Sequence, residues 1–170
     1  MVSNVTIDRL CAHLTNYRGC FSLDQIFGIK MEVYKAPSSF VINTFESKYV
    51  NGGHWLLATL WGDHIEIFDS LGRENEIPKK IIEHLSKMGP IRRSRPQLQD
   101  FFSPYCGFYV IGRLISIYRG QSLSKFLSNF GKDTSSNDAL IKDNVLIFVD
   151  TYIWPEYGEP KRPPFFRRAK

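Results

Sequence analysis

The chain has 170 residues, with 43% hydrophobic and 14% aromatic content and a formal charge of +5. That length and composition fit one packed domain able to bury roughly two thirds of its unfolded surface, and they exclude a disordered chain. No apolar run reaches the ~18 residues of a membrane span, and the N-terminus lacks the long apolar core of a signal peptide, so an intracellular protein with no membrane association is expected.

In chain order, residues 4–15 carry apolar groups at helical spacing, with Asn4 or Thr6 as cap. Residues 16–38, punctuated by Gly19, Gly28 and Pro37, read as irregular. Ser39–Thr44 reads as a strand. His54–Trp61 is apolar on both faces, as in a covered central strand, and Gly62-Asp63 is a two-residue turn returning it antiparallel as His64–Asp69. A helix is expected over residues 75–88 with Pro78 in its first turn, then an extended stretch from Ile91 to Leu98. Cys106–Tyr118 is an apolar, buried helix, Leu123–Phe130 a short one, and Ala139–Tyr152 a long one. The expected organisation is a single α+β domain over residues 1–156, a central mostly antiparallel sheet flanked by helices, with a basic Pro-rich tail over 157–170.

Three cysteines form no disulfide framework and suit a reducing compartment. Cys11, His13 and Cys20 lack a fourth ligand at zinc spacing, so no metal is assigned to them and no cofactor is required by the sequence. Cations cluster at Arg92, Arg93 and Arg95 and again in the tail. Contact with nucleic acid through them is one reading, and a solvated surface is the blander one that outweighs it.

The hairpin carries chemistry. If Gly62-Asp63 is a two-residue loop, Trp61 faces His64 and Leu56 faces Asp69. Side-chain alternation then puts His54 and Asp69 on one face, diagonal to each other and within reach of a histidine–carboxylate hydrogen bond. Glu66 falls on the opposite face, against Thr59. Ser103 and Pro104 read as a helix cap and first helical residue, which sets Cys106 in the first turn, where unpaired N–H groups and the helix dipole favour a thiolate. Gly107 leaves the approach to the sulfur open. A side-chain amide shortly before the cysteine, paired with the cysteine's own N–H, would form an oxyanion hole; both Gln97 and Gln99 stand there.

The run Phe40–Thr44, Gly53-His54-Trp55, Phe68-Asp-Ser-Leu-Gly72 and Gln99…Ser103-x-x-Cys106-Gly107 resembles the adenovirus protease family (adenain) and, more distantly, the Ulp-type SUMO and NEDD8 proteases. The order His, Asp, Gln, Cys is that clan's order, and the matching segments lie within residues 40–120. The resemblance implies a thiol protease with Cys106 as nucleophile, His54 as general base, Asp69 as orienting acid and Gln99 as oxyanion donor, with Trp55 and Gly107 on the substrate. It also implies cleavage at small-residue, Gly-Gly-type sites and a role in maturing viral or virus-like-element polyproteins. In that case the protein would work in the virion and in the host nucleus or cytoplasm. Adenain commonly has Glu at the position of Asp69. It takes a viral peptide activator through a mid-chain cysteine for which residues 70–105 offer no counterpart, while stimulation by DNA remains compatible with the basic clusters. A deconjugating isopeptidase for ubiquitin-like modifiers and a non-catalytic binding module are the alternatives.

Overall fold

The computed structural model describes residues 2–49, 52–73 and 77–152. Among them lie five strands in one sheet, ordered β1 (Tyr17–Phe21), β2 (Ser38–Asn43), β3 (Trp55–Leu60), β4 (Ile65–Phe68) and β5 (Ile91–Arg93). The α-helices are α1 (Asn4–Cys11), α2 (Lys79–Ser86), α3 (Cys106–Tyr118), α4 (Leu123–Leu127) and α5 (Thr134–Tyr152). The sheet is antiparallel at its centre, β2 to β3 to β4, and parallel at both edges, where β1 joins β2 and β5 joins β4. The α+β class expected from the sequence is the class observed.

Alternation sorts the three central strands onto two faces. Val41, Trp55, Leu57 and Phe68 point to one, where α3 covers them, backed by α1 and α5. Phe40, Ile42, Leu56, Ala58, Ile65 and Ile67 point to the other, against Ile81 and Leu85 of α2 and against Ile26 and Met31 from the segment before β2. Burying one such side chain is worth about 1.5–3 kcal/mol, so two full faces suffice to hold β3 and β4 in a single register. Helix α3 is apolar nearly all round because it is sandwiched: the sheet lies on one side and Ile141 and Val145 of α5 on the other.

Several boundaries differ from the expectation. Helix α1 is capped by Ser3, whose hydroxyl accepts from the Thr6 N–H at 3.2 Å, and it stops at Cys11. Residues 16–38 contain a strand, β1, and two short 3-10 turns. β1 is half-buried at the sheet edge, with a register shift between Tyr17 and Cys20. Pro78 precedes α2 as its N-cap, so the helix begins at Lys79; residues 74–76 lie outside the described ones. Helix α5 begins at Thr134, where Asp133 takes the Ser135 N–H at 3.3 Å and the Ser136 hydroxyl. Its first turn is polar, so apolar periodicity starts later than the helix does. The Trp154-Pro155 stop and the basic tail from 157 also lie outside the described residues.

Candidate active site

The β3–β4 hairpin closes as the turn chemistry requires: the Trp61 N–H donates to the His64 carbonyl at 2.9 Å, and Leu60, Thr59, Ala58 and Leu57 oppose Ile65, Glu66, Ile67 and Phe68. His54 precedes β3 and Asp69 follows β4, so both stand at the open base of the hairpin. His54 Nε2 meets Asp69 Oδ1 at 2.7 Å. The His54 backbone is fixed on both sides by Thr44, whose Oγ1 accepts its N–H at 2.8 Å and whose own N–H donates to its carbonyl at 2.9 Å. Gly53 makes this turn possible: its φ is +82°, and a Cβ there would lie 2.0 Å from Asn43 Oδ1.

Asp69 is buried and well held. Its Oδ1 also accepts the Leu71 N–H at 2.8 Å, and Ser94 braces its backbone from β5's end, accepting the Asp69 N–H at 2.8 Å and donating to its carbonyl at 3.1 Å. The Leu71 N–H and the His54 ring are thus partners of the buried carboxylate itself, and Ser94 fixes the backbone that carries it.

Cys106 is the first residue of α3 and only 3% exposed. The cap is Tyr105 (φ −94°, ψ 4°), not Ser103, and Pro104 stays outside the helix. Asp100 accounts for the shift: its carbonyl takes the Ser103 N–H at 3.1 Å and its side chain the Phe102 N–H at 3.0 Å, which turns residues 100–103 into a loop of their own. The Ser103 hydroxyl is left buried without a partner. The first helical acceptor is instead the Tyr105 carbonyl, taking Phe108 N–H at 2.9 Å. The N–H groups of Cys106 and Gly107 thus belong to the turn that has no partners within the helix.

His54 is hydrogen-bonded to Asp69 and lies close enough to the Cys106 thiol to feel it electrostatically. Burial alone would lower its pKa. The hydrogen bond to Asp69 and its charge, with the Cys106 sulfur nearby adding to them, outweigh burial and raise it to about 9. The other two thiols have no such partner: burial, with Asp8 nearby, pushes Cys11 up to about 12 and Cys20 up as well.

The two glutamines separate. Gln99 is buried; its Nε2 donates to the Ser103 carbonyl at 2.7 Å and its Oε1 accepts the Ser70 hydroxyl at 2.6 Å. Gln97 is exposed and braces the Gln99 carbonyl at 3.0 Å. Gly72, at φ +64°, lets this segment approach, since a Cβ there would lie 2.6 Å from the Arg95 carbonyl oxygen. Trp55 and Gly107 are both covered by the segment before α1: the Trp55 indole N–H donates to the Val2 carbonyl at 3.0 Å, and a Cβ on Gly107 would lie 2.7 Å from Val2 Cβ.

A cleft of about 330 Å³ opens on His54 and Asp69, lined also by Phe45, Gly53, Leu71 and Ile77. It meets a second, of about 360 Å³, at Phe45, with Trp55, Gly52 and Tyr49 on its walls. A third cleft, of about 630 Å³, lies at the hairpin tip around His64, His84 and Met88; it has no thiol and is remote from this chemistry. Of the basic cluster, Arg92 and Arg95 are exposed on and after β5, Arg92 reaching Asp63 at 3.9 Å, and Arg93 is half-buried. No group of three or more metal-ligating side chains occurs among the described residues, and no described helix is long and apolar enough to cross a membrane.

Ser70 and Ser94 are the site residues that sequence reasoning missed. Only the position of Ser70 beside Asp69 hinted at it; a lone serine in a loop carries no periodic or charge signal.

No family model and no curated protein matches the chain. Among solved structures, the crystal structure of the ASFV pS273R protease matches with a TM-score of 0.54 at 21% identity, over 81% of this chain and 64% of that one. AvrA with IP6 and CoA, at 14% identity and a TM-score of 0.45 over 80% of this chain and 52% of that one, is too loose a match to bear on the fold. The chain has the α+β fold of the ASFV protease and spans about 64% of its length.

Proposed function

We propose that this chain is a cysteine endopeptidase of the adenain and Ulp-type clan, cutting proteins at small-residue, Gly-Gly-type sites. The observation that carries this is the placement of His54, hydrogen-bonded to buried Asp69 and beside a thiol at the first residue of a helix. A nucleophile, a base and an orienting acid are what acyl transfer to sulfur needs. The Cys106 sulfur attacks the scissile carbonyl carbon, and the π electrons move to oxygen. The Cys106 N–H and the Gln99 side-chain amide stabilise that oxyanion. His54, protonated at neutral pH, gives its proton to the departing amine. A water deprotonated by His54 then attacks the thioester, releasing the acid, expelling the Cys106 sulfur and leaving His54 protonated as at the start. Asp69 holds one tautomer and stabilises the imidazolium throughout.

The fold shared with a protease of ASFV supports assigning the protein to viral or virus-like polyprotein maturation. The test is cleavage of a peptide library by the full chain, with and without DNA. We expect cuts after small residues that vanish in Cys106→Ala; cleavage persisting in that variant overturns the assignment. Faster cleavage with DNA would give Arg92 and Arg95 a role in activation. A deconjugating isopeptidase would use the same groups, and covalent trapping by a ubiquitin-like modifier with a C-terminal electrophile, but not by a short peptide, would point there.

A further inference from the structure

We propose that Ser70 is a positioning residue for this reaction, holding the Gln99 amide with an N–H turned to the loop that delivers Cys106. The orientation follows from hydrogen-bond chemistry. The Ser103 carbonyl can only accept, so the end of the amide that meets it at 2.7 Å is the nitrogen. The oxygen is then the end 2.6 Å from Ser70 Oγ, and the hydroxyl donates to it. Were the amide reversed, two acceptor oxygens would face each other at the Ser103 side. Ser70 grips the main chain as well: its carbonyl accepts the Leu98 N–H at 2.8 Å and the Gln99 N–H at 3.0 Å. Ser70 and Gln99 are 1% and 2% exposed, so no bulk water stands ready to replace the hydroxyl.

The consequence is catalytic geometry. An amide nitrogen carries two hydrogens; Ser103 takes one and the other is left for an oxyanion formed at Cys106. Ser70 also follows Asp69 directly. One turn therefore sets the acid that orients the base and the hydroxyl that orients the oxyanion donor. This inference rests on the cysteine-peptidase proposal and on Gln99 as oxyanion donor.

The test uses the full chain with Ser70→Ala, Ser70→Cys and Ser70→Thr, the second keeping the side-chain volume and the third the hydroxyl. Two rates are compared: hydrolysis of a peptide the wild type cleaves, and alkylation of Cys106 by iodoacetamide, mapped to its own peptide, across pH. Alkylation needs the thiolate but builds no oxyanion. For Ala and Cys we expect kcat to fall about 10- to 100-fold, less than the 10²–10³ of losing an oxyanion donor outright. KM should stay within about twofold, as for a group acting only in the transition state. Alkylation rate and its pH profile should not move, and Thr should recover most of kcat. In a Gln99→Ala background, Ser70→Ala should cost less than about twofold more, because the two act as a unit. The inference is overturned if Ala and Cys leave kcat unchanged while Gln99→Ala lowers it, if alkylation falls in proportion to kcat, or if Ser70→Ala costs the same with and without Gln99. Hydrolysis indifferent to Gln99→Ala or Cys106→Ala would instead sink the underlying proposal.

Discussion

The β3–β4 hairpin carries a histidine–carboxylate pair at each end. At the base, His54 and Asp69 meet at 2.7 Å; at the tip, His64 and Asp63 meet at 2.6 Å. Distance does not tell them apart, but their surroundings do. The Asp69 side chain is 4% exposed and backed by Leu71 and Ser94, whereas that of Asp63 is 71% exposed. Water around Asp63 competes for every interaction it makes and screens its charge. The base pair also has a third member, the Cys106 thiol, brought in on α3 from outside the hairpin. Between the two ends, Glu66 on the α3 face binds buried Arg113 through both oxygens, at 2.9 and 3.0 Å. A guanidinium keeps its proton and an imidazole can give one up, so the middle pair can support structure but, unlike the base pair, cannot move a proton.

The largest difference should appear between the two histidines. Removing a positioned general base costs about 10²–10⁴-fold, so His54→Gln should lower kcat/KM by that factor, while His64→Gln stays within about twofold of wild type. Comparable losses in both, measured on one peptide, would mean the base end has no special chemistry.

The middle pair should answer in stability. Arg113→Ala leaves Glu66 buried with an unpaired charge, a change that costs about 3–5 kcal/mol, and it also strips the bonds from Arg113 to Ser116 and the Gln121 carbonyl. The double substitution Arg113→Met, Glu66→Leu should recover most of that loss in urea unfolding, since it removes both charges and keeps the volume. A double variant as unstable as the single one would show that the charge itself was needed there.

How much of this arrangement the sequence disclosed depends on which forces are local. Hairpin register was legible because Gly62-Asp63 fixes the loop length and the apolar strand fixes the faces; Asp69 opposite Leu56 follows by counting. The start of α3 was not. Ser103-Pro104 is a strong local cap signal, but the Asp100 turn and the Gln99 amide, both non-helical partners, claim the Ser103 backbone and push the helix start to Cys106. Strand β1 was hidden because Gly19 interrupts five half-buried residues with no alternation. That the Gln99 amide is buried and held, while Gln97 is exposed, depends on the Ser70 hydroxyl, 29 residues away in sequence. Tertiary hydrogen bonds of this kind leave no trace in periodicity.

Asp69→Asn sharpens the same comparison, with about a 100-fold or greater fall in kcat/KM, because the amide can hold the wrong tautomer. It also carries a pH signature. His54 titrates at about 9 in the folded chain against an ordinary 6.5. Its protonated form therefore favours folding, fully below about pH 6.5 and progressively less as pH rises to about 9. The alkaline limb of kcat/KM should sit near 9, where His54 loses the proton that the proposed mechanism has it give to the leaving amine. Asn should shift that limb toward lower pH and flatten the decline of stability between 6.5 and 9. An unmoved limb would mean that Asp69 does not set the charge on His54.

The tip supplies the smallest expected effect and the sharpest control. Asp63→Asn combined with His64→Gln keeps a side chain that hairpin turns accept beside Gly62, so the register should survive. The hydrogen bond from His64 lowers the pKa of Asp63, with the charge of Arg92 adding to it. Whatever stability that gives is present above the ordinary carboxylate range and lost only as pH falls through it, far from the range in which His54 titrates. The pH profiles of hydrolysis and of Cys106 alkylation should then superimpose on wild type from pH 6 to 10, with no measurable change in melting midpoint. A shifted alkaline limb in this variant would assign the limb to the tip, and the raised pKa of His54 would no longer account for it.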